Sequence, residues 1–290
     1  NTVINVANTA TGTFTFTGSA AVSGTATNSS TGKILFAGGT VTGAVTNSST
    51  GTIELTAATT FANNLTNASG GTVKLNSNTL TFSGATPTLD NTGSKIISAT
   101  TITVGAGLLS FTGSGAVTLT PGSELPGIVV NHSNASTGGV TIGAAATLYG
   151  DLTVTSGTLT VNGASEVKGA TSVNGGTLSL GTNNLTLVGS YSQTSGTLTF
   201  GANQLIAKGN VSMTGGTVTP VTGTLAFGSG TATGSDQLFT PIPNLTIYNF
   251  VVNNPTRKVT MGASVIVTGD FTITAGTVEL STYNVRMTGA

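Results

Sequence analysis

The sequence predicts an all-β fold, a single parallel β-solenoid of about 14 coils of roughly 20 residues each, with no helices. A Gly-Thr-apolar-x-apolar motif recurs at that spacing, the chain contains 42 glycines, and charged residues make up only 6% of it. A unit of this length cannot bury its apolar face alone, so neighbouring units must stack. The motif begins at Gly12, Gly32, Gly51, Gly71, Gly157, Gly176, Gly196, Gly216 and Gly276.

Each motif has the alternation of a short strand with one buried face. The second and fourth residues after the glycine are expected in the core, and the third is expected to face solvent. A second alternating segment lies nine and eleven residues after the glycine, so each coil has at least two strands. The expected core pairs are Phe14/Phe16, Ile34/Phe36, Ile53/Leu55, Val73/Leu75, Leu159/Val161, Leu178/Leu180, Leu198/Phe200 and Val278/Leu280, then Leu80/Phe82, Leu185/Leu187, Leu225/Phe227 and Val285/Met287.

Parallel stacking places equivalent residues of successive coils above one another, about 4.8 Å apart. Asn28, Asn47 and Asn67 each lie four residues before a motif glycine, so we expect their side-chain amides to form a ladder along the axis. Glu54 and Lys74 occupy the same position in consecutive coils, which predicts a vertical ion pair.

The repeats run through the whole chain, which predicts one solenoid domain over 1–290. A longer repeat is superimposed on the short one: Gly150-Asp151-Leu152 begins a segment that recurs 119 residues later as Gly269-Asp270-Phe271, so one long unit is close to six coils. Irregular or bulged coils are expected near 121–136 and 236–258, where proline interrupts the pattern.

Three phrases, at 150–161, 182–189 and 242–249, resemble the repeats of secreted bacterial surface proteins of the β-solenoid type. These are large adhesins and subunits of extracellular filaments. The resemblance implies a location outside the cell or on its surface, as a mature chain after removal of a signal. It implies a role as a stalk, a surface coat or an adhesive fibre, and it carries over no functional residue.

The composition argues against several functional classes. Eight basic and eight acidic residues leave no net charge to attract nucleic acid, and no long apolar run predicts membrane insertion. The carboxylates are scattered at no more than one per coil, cysteine is absent, and His132 is the single histidine. We therefore predict no catalytic residue, no cofactor and no metal site, and we do not expect an enzyme.

The ends of a solenoid carry unpaired strand edges that recruit other chains unless they are covered. This chain has strand-like alternation at both ends and no helical cap, so we expect copies of the chain to add end to end by strand addition. The product would be a surface filament or a matrix fibre. The expected assembly edges are Val3, Ile4, Val6, Val285 and Met287.

Two alternatives remain open. The chain could be a stalk or glycan-binding segment of a bacterial surface adhesin, with Tyr248, Phe250 and Arg257 as surface contacts. It could also be an ice-binding solenoid, because outward Thr-x-Thr pairs such as Thr197/Thr199 form an array, although serine and glutamate interrupt it.

Overall fold

The computed structural model describes residues 2–3, 5–17, 21–67, 70–76, 78–84, 89–90, 95–97, 108–111, 117–120, 124–125, 127–131, 139–219, 221–228 and 236–289. These residues form strands and turns without any helix, and every strand pair is parallel, which confirms the predicted solenoid.

The strands are short, and most contain two to five residues. They are β1 Thr2–Val3, β2 Val6–Asn8, β3 Thr13–Phe16, β4 Ala21–Val22, β5 Ala26–Asn28, β6 Lys33–Val41, β7 Val45–Asn47, β8 Thr52–Phe61, β9 Leu65–Asn67, β10 Thr72–Lys74, β11 Thr79–Phe82, β12 Leu89–Asp90, β13 Lys95–Ile97, β14 Leu108–Phe111, β15 Val117–Thr120, β16 Glu124–Leu125, β17 Gly127–Asn131, β18 Val140–Ile142, β19 Thr147–Leu148, β20 Leu152–Ser156, β21 Thr158–Val161, β22 Ser165–Val167, β23 Thr171–Ser179, β24 Leu185–Leu187, β25 Tyr191–Thr199, β26 Gln204–Ala207, β27 Val211–Met213, β28 Thr217–Thr219, β29 Thr224–Gly228, β30 Gln237–Thr240, β31 Leu245–Ile247, β32 Asn249–Met261, β33 Val265–Val267, β34 Phe271–Glu279 and β35 Val285–Met287.

Three faces run along the rod, because each coil contributes up to three strands and the longest strands bend around a corner to serve two faces. Face A contains β3, β10, β13, β16, β19, β22, β24, β26, β29 and the first halves of β6, β8, β32 and β34. Face B contains β1, β4, β11, β14, β17, β20, β27, β30, the second halves of β6, β8, β32 and β34, and the first halves of β23 and β25. Face C contains β2, β5, β7, β9, β12, β15, β18, β21, β28, β31, β33, β35 and the second halves of β23 and β25.

The core fills the space between the faces, and it follows the predicted alternation. In β21, for example, Leu159 and Val161 are buried while the two threonines on either side of Leu159 are half-buried at the surface. Aromatic rings continue from coil to coil inside the rod: Phe16 stacks on Phe36 with ring centroids 5.0 Å apart, and Phe250 stacks on Phe271 at 5.5 Å. Such contacts add to the stabilisation from apolar burial.

The predicted asparagine ladder is present inside face C. The Nδ2 atom of Asn28 donates to Oδ1 of Asn47 at 3.0 Å, and Nδ2 of Asn47 donates to Oδ1 of Asn67 at 2.8 Å. Each of these amides also donates to the carbonyl of the motif glycine four residues later, as Asn47 does to Gly51 at 2.8 Å. Asn8 is bonded to its own glycine, Gly12, in the same way. Buried amides therefore hold the turns of consecutive coils together.

The predicted ion pair forms with a different partner. Glu54 and Lys74 do lie side by side in register, but the Nζ atom of Lys33, in the coil below, is 2.5 Å from the carboxylate of Glu54. Repeat position fixes the column in which a charge lies, whereas the direction of a long side chain decides which neighbour it meets.

The coils are not uniform in length. Thr171, Tyr191 and Val211 follow one another on face B at steps of 20 residues, but the next partner of Val211 is Phe239, 28 residues later. Because of long coils of this kind, the solenoid has about 11 turns, slightly fewer than the 14 coils predicted. Of the first irregular stretch, β16 and β17 lie in the stack and the remaining residues of 121–136 lie outside the described residues.

The second irregular stretch changes the register of the long repeat. The segment at 152–156 lies on face B as β20, whereas its copy 119 residues later, the first half of β34, lies on face A. The segment 158–161 lies on face C as β21, and its copy lies on face B. The whole second copy is therefore rotated by one face relative to the first.

Candidate functional site

The end coil, residues 271–287, exposes an apolar surface at one end of the described rod. In the part of the chain that the structure describes, its strands β34 and β35 pair only with the coil below. Four apolar side chains of the end coil are substantially exposed as a result: Ile273 (46%), Leu280 (38%), Tyr283 (38%) and Met287 (48%).

The exposed side chains surround a hollow of about 290 Å³. Its lining residues are Phe271, Ile273, Val278, Leu280, Val285 and Met287. All six positions belong to the inward-facing pattern of the repeat, so the hollow is an uncovered section of the solenoid core. The predicted core positions Val278, Leu280, Val285 and Met287 are therefore partly exposed, because no described strand lies above them. Val285 and Met287, two of the predicted assembly-edge residues, lie in this surface. The last motif could have identified Val278 and Leu280, and the 119-residue repeat could have identified Phe271 and Ile273.

The opposite end of the rod is formed by β1, β2 and β3. Val3 lies in β1, which pairs with β4, and Val6 is 4% exposed in β2. Ile4 lies outside the described residues. Phe14, which the alternation placed in the core, is 41% exposed and its ring lies 5.2 Å from that of Phe16, since no described strand covers β3 from below. Both ends of face A thus present a phenylalanine.

Tyr248 lies in a lateral cleft of about 520 Å³ near the end coil. The cleft is also lined by Asn249, Asp270 and Met287, and Gly269 forms part of its floor. A Cβ at position 269 would lie 2.4 Å from the Asn249 amide oxygen and 3.0 Å from the Tyr248 ring, so a side chain there would displace groups that line the cleft. Oδ1 of Asn249 accepts the Asp270 N–H at 2.8 Å, which fixes the amide and leaves the exposed Asp270 carboxylate at the rim.

The other two predicted contact residues are elsewhere. Phe250 is not at the surface: it is fully buried and packs on Phe227, Phe239 and Phe271, because strand alternation turns it inward while Tyr248 precedes the strand. Arg257 is half-buried in β32 and does not line the Tyr248 cleft. The sequence could not separate these three residues because the register of the irregular stretch was unknown.

Ion pairs stiffen the sides of the rod. The Glu166 carboxylate lies 2.6 Å from Nζ of Lys168 and 3.5 Å from Nζ of Lys208, two coils above. Burial opposes ionisation of Glu166, but the two lysines outweigh it and lower the pKa of the carboxyl. Burial raises the pKa of the Tyr191 hydroxyl, which donates to Oε1 of Gln193 inside the core at 2.9 Å. The Tyr191 hydroxyl is thus bonded within the core, whereas Glu166 lines an open cleft of about 470 Å³ together with Asn184 and Thr186.

Among the described residues, no three His, Cys, Asp or Glu side chains are close enough to hold a metal ion, and no helix could span a membrane. No known family, curated protein or solved structure matches the chain. The end coil and the Tyr248 cleft contain predicted site residues that lie at the surface.

Proposed function

We propose that this protein is an extracellular structural subunit whose copies stack end to end, through addition of strands to the end coil, into a surface filament or matrix fibre. The observation that carries the proposal is the uncovered apolar section of the core at Ile273, Leu280 and Met287. Burying such side chains stabilises an interface by roughly 1.5–3 kcal/mol for each one fully covered.

The directions of the strands favour a second copy as the partner. Every ladder is parallel, so the upper edge of the end coil is the kind of edge to which β1 and β3 of another copy can add. Such a contact joins two different surfaces and repeats without closing, which produces a filament.

The side chains of the two ends are also compatible. Phe271 of the end coil and Phe14 with Phe16 of β3 all lie on face A, so stacking would continue one column of rings across the junction. Residues 1–32 contain no charged side chain, so the side chains of β1, β2 and β3 would bring no like charge to the contact.

Electron microscopy and light scattering across a concentration series test this proposal. We expect fibres that lengthen with concentration, and we expect Ile273→Asp to abolish them by placing a charge in the junction. The matched control is Val221→Asp, since Val221 is 59% exposed on a turn between β28 and β29. Single rods at every concentration would contradict the proposal and would favour a further coil of a longer chain as the cover of this surface.

A second candidate function, glycan binding as part of an adhesin, rests on the Tyr248 cleft. A tyrosine ring, an exposed carboxylate and an amide around one cleft are groups that can stack on a sugar and bind its hydroxyls. Binding to a glycan array should be lost in Tyr248→Ala and Asp270→Ala and retained in Tyr149→Ala, which changes a tyrosine outside the cleft. Equal binding by all three variants would exclude the cleft as the contact.

A further inference from the structure

Face C carries a two-column array of hydroxyl side chains over four consecutive coils. The columns are in strict register: Thr158 pairs with Thr177, Thr197 and Thr217 in turn, and the second column runs parallel to it two residues further along each strand. The members of this hydroxyl array are Thr158, Thr160, Thr177, Ser179, Thr197, Thr199, Thr217 and Thr219.

The hydroxyl array is periodic in two directions. Neighbouring coils are about 4.8 Å apart, and residues two apart along a strand are about 6.6 Å apart. The side chains are half-buried or exposed at the surface of the rod. In the described part of the chain, Ser179 is the one member whose hydroxyl bonds to protein, since its Oγ accepts the Gly181 N–H at 3.4 Å. The other hydroxyls are free to bind water.

Rigid elements support the hydroxyl array from behind. Leu159, Leu178 and Leu198 lie between the two columns, point inward and are fully buried. At the corner beside the first column, a Cβ at position 196 would lie 2.2 Å from the Gly176 carbonyl oxygen, so glycine is needed for the coils to approach closely there. The buried leucines under the array and the glycine at the neighbouring corner therefore hold the hydroxyl side chains in regular positions on the sheet.

The chemistry of the hydroxyl array is uniform. The four segments that form it, 157–161, 176–180, 196–200 and 216–219, contain no charged residue. The surface positions are hydroxyls with methyl groups, except at Ser179, and none is aromatic. A sugar-binding surface would be expected to offer aromatic platforms or charged hydrogen-bond partners.

We infer that the hydroxyl array on face C binds ice. Oxygen atoms in the ice lattice also repeat in two directions at distances of this order, so a rigid array of hydroxyls can hold first-layer waters at lattice positions. Water bound between fixed polar groups contributes nearly as much enthalpy as a direct hydrogen bond. The threonine methyl groups fill the space between those waters and are covered when the ice surface docks.

The test uses the full chain and measures thermal hysteresis and ice-crystal shaping by osmometry, together with partition of the protein into growing ice. We expect the wild-type protein to shape ice and to enter it. Thr199→Lys, in the middle of the array, should lose most of both effects. Ser192→Lys is the matched control, because Ser192 faces outward in the same coil on face B. Ser179→Thr should strengthen the effect by completing the column of methyl groups.

Thermal melts confirm that each variant is folded before it is compared. Absence of ice shaping by the wild-type protein would overturn the inference, as would equal losses in Thr199→Lys and Ser192→Lys. Binding of the wild-type protein to insoluble cellulose or chitin that depends on Thr199, without any effect on ice, would also overturn it and would assign the array to a polysaccharide.

Discussion

At the scale of single residues, the asparagine ladder was predictable because each amide lies at a fixed distance from a motif glycine. The offset of four residues brings Nδ2 of Asn28, Asn47 and Asn67 to the glycine carbonyl at 2.8–3.2 Å. Parallel stacking then leaves the remaining amide groups of these residues facing one another. Asparagine at this position therefore serves two purposes: it bonds to the turn of its own coil and to the asparagine of the next coil.

Removal of the middle amide should destabilise the fold. In Asn47→Ala, the Asn28 amide loses a buried acceptor and the Gly51 carbonyl keeps only its bond from the Thr72 N–H, at about 0.5–1.5 kcal/mol for each hydrogen bond lost. Chemical denaturation measures the change in the free energy of unfolding. Thr46→Ala is the control, since Thr46 precedes Asn47 in β7 and is only half-buried. Equal losses in the two variants would show that the ladder contributes no stability.

Glu54 gives the protein a predictable response to acid. The hydrogen bond from Lys33 lowers its pKa below the ordinary 4.5 despite partial burial. A lowered pKa in the folded state contributes stability that is present above the ordinary value and is lost as the pH falls through the folded one. Glu54→Gln should therefore flatten the decrease in unfolding free energy below pH 4.5 by up to about 1 kcal/mol.

Unfolding by urea at a series of pH values measures this dependence. Glu279→Gln is the comparison, because its pair with Lys258 is more exposed: the side chain of Glu279 is 45% exposed and that of Glu54 is 16% exposed. A wild-type acid profile that is unchanged by Glu54→Gln would contradict the assignment.

At the scale of elements, alternation predicted which side chains of a strand are buried, but it could not assign a strand to a face. The same Gly-Thr motif lies on face A at Gly51, on face C at Gly196 and on face B at Gly276. A period of 20 residues determines stacking only while every coil keeps that length. Phe250 and Tyr248 could not be separated for this reason, because they lie in the stretch where coil length changes.

The corner glycines differ in what they tolerate. Gly196 has a φ of +73° and its Cβ position lies 2.2 Å from the Gly176 carbonyl oxygen. Gly196→Ala should destabilise the protein by about 1–3 kcal/mol from backbone strain, and the clash adds to that cost. Gly12→Ala, where nothing lies within 4 Å, should be neutral or stabilising by about 0.4–1 kcal/mol. Thermal melts compare the two, and similar melting temperatures would contradict the close stacking at this corner.

At the scale of the whole molecule, the balanced charge predicts how assembly depends on salt. The chain carries eight basic and eight acidic residues, and the surfaces proposed to join are mainly apolar. Raising sodium chloride to physiological strength should leave the assembly rate unchanged, because few charges are screened. Ammonium sulfate should accelerate assembly by favouring apolar burial. Light scattering measures both, and strong suppression by sodium chloride would indicate an electrostatic junction.

The second long copy is rotated by one face relative to the first, and this rotation determines on which face each segment of a longer rod would lie. A segment on face B in one copy lies on face A in the next, so a third copy would carry it on face C and a fourth would return it to face B. Gaining or losing one copy of the 119-residue unit would change the direction in which a side faces as well as the reach of the rod. Lateral binding sites present once in each copy would therefore lie on a different face in each successive copy, and partners could reach them from every side of the rod.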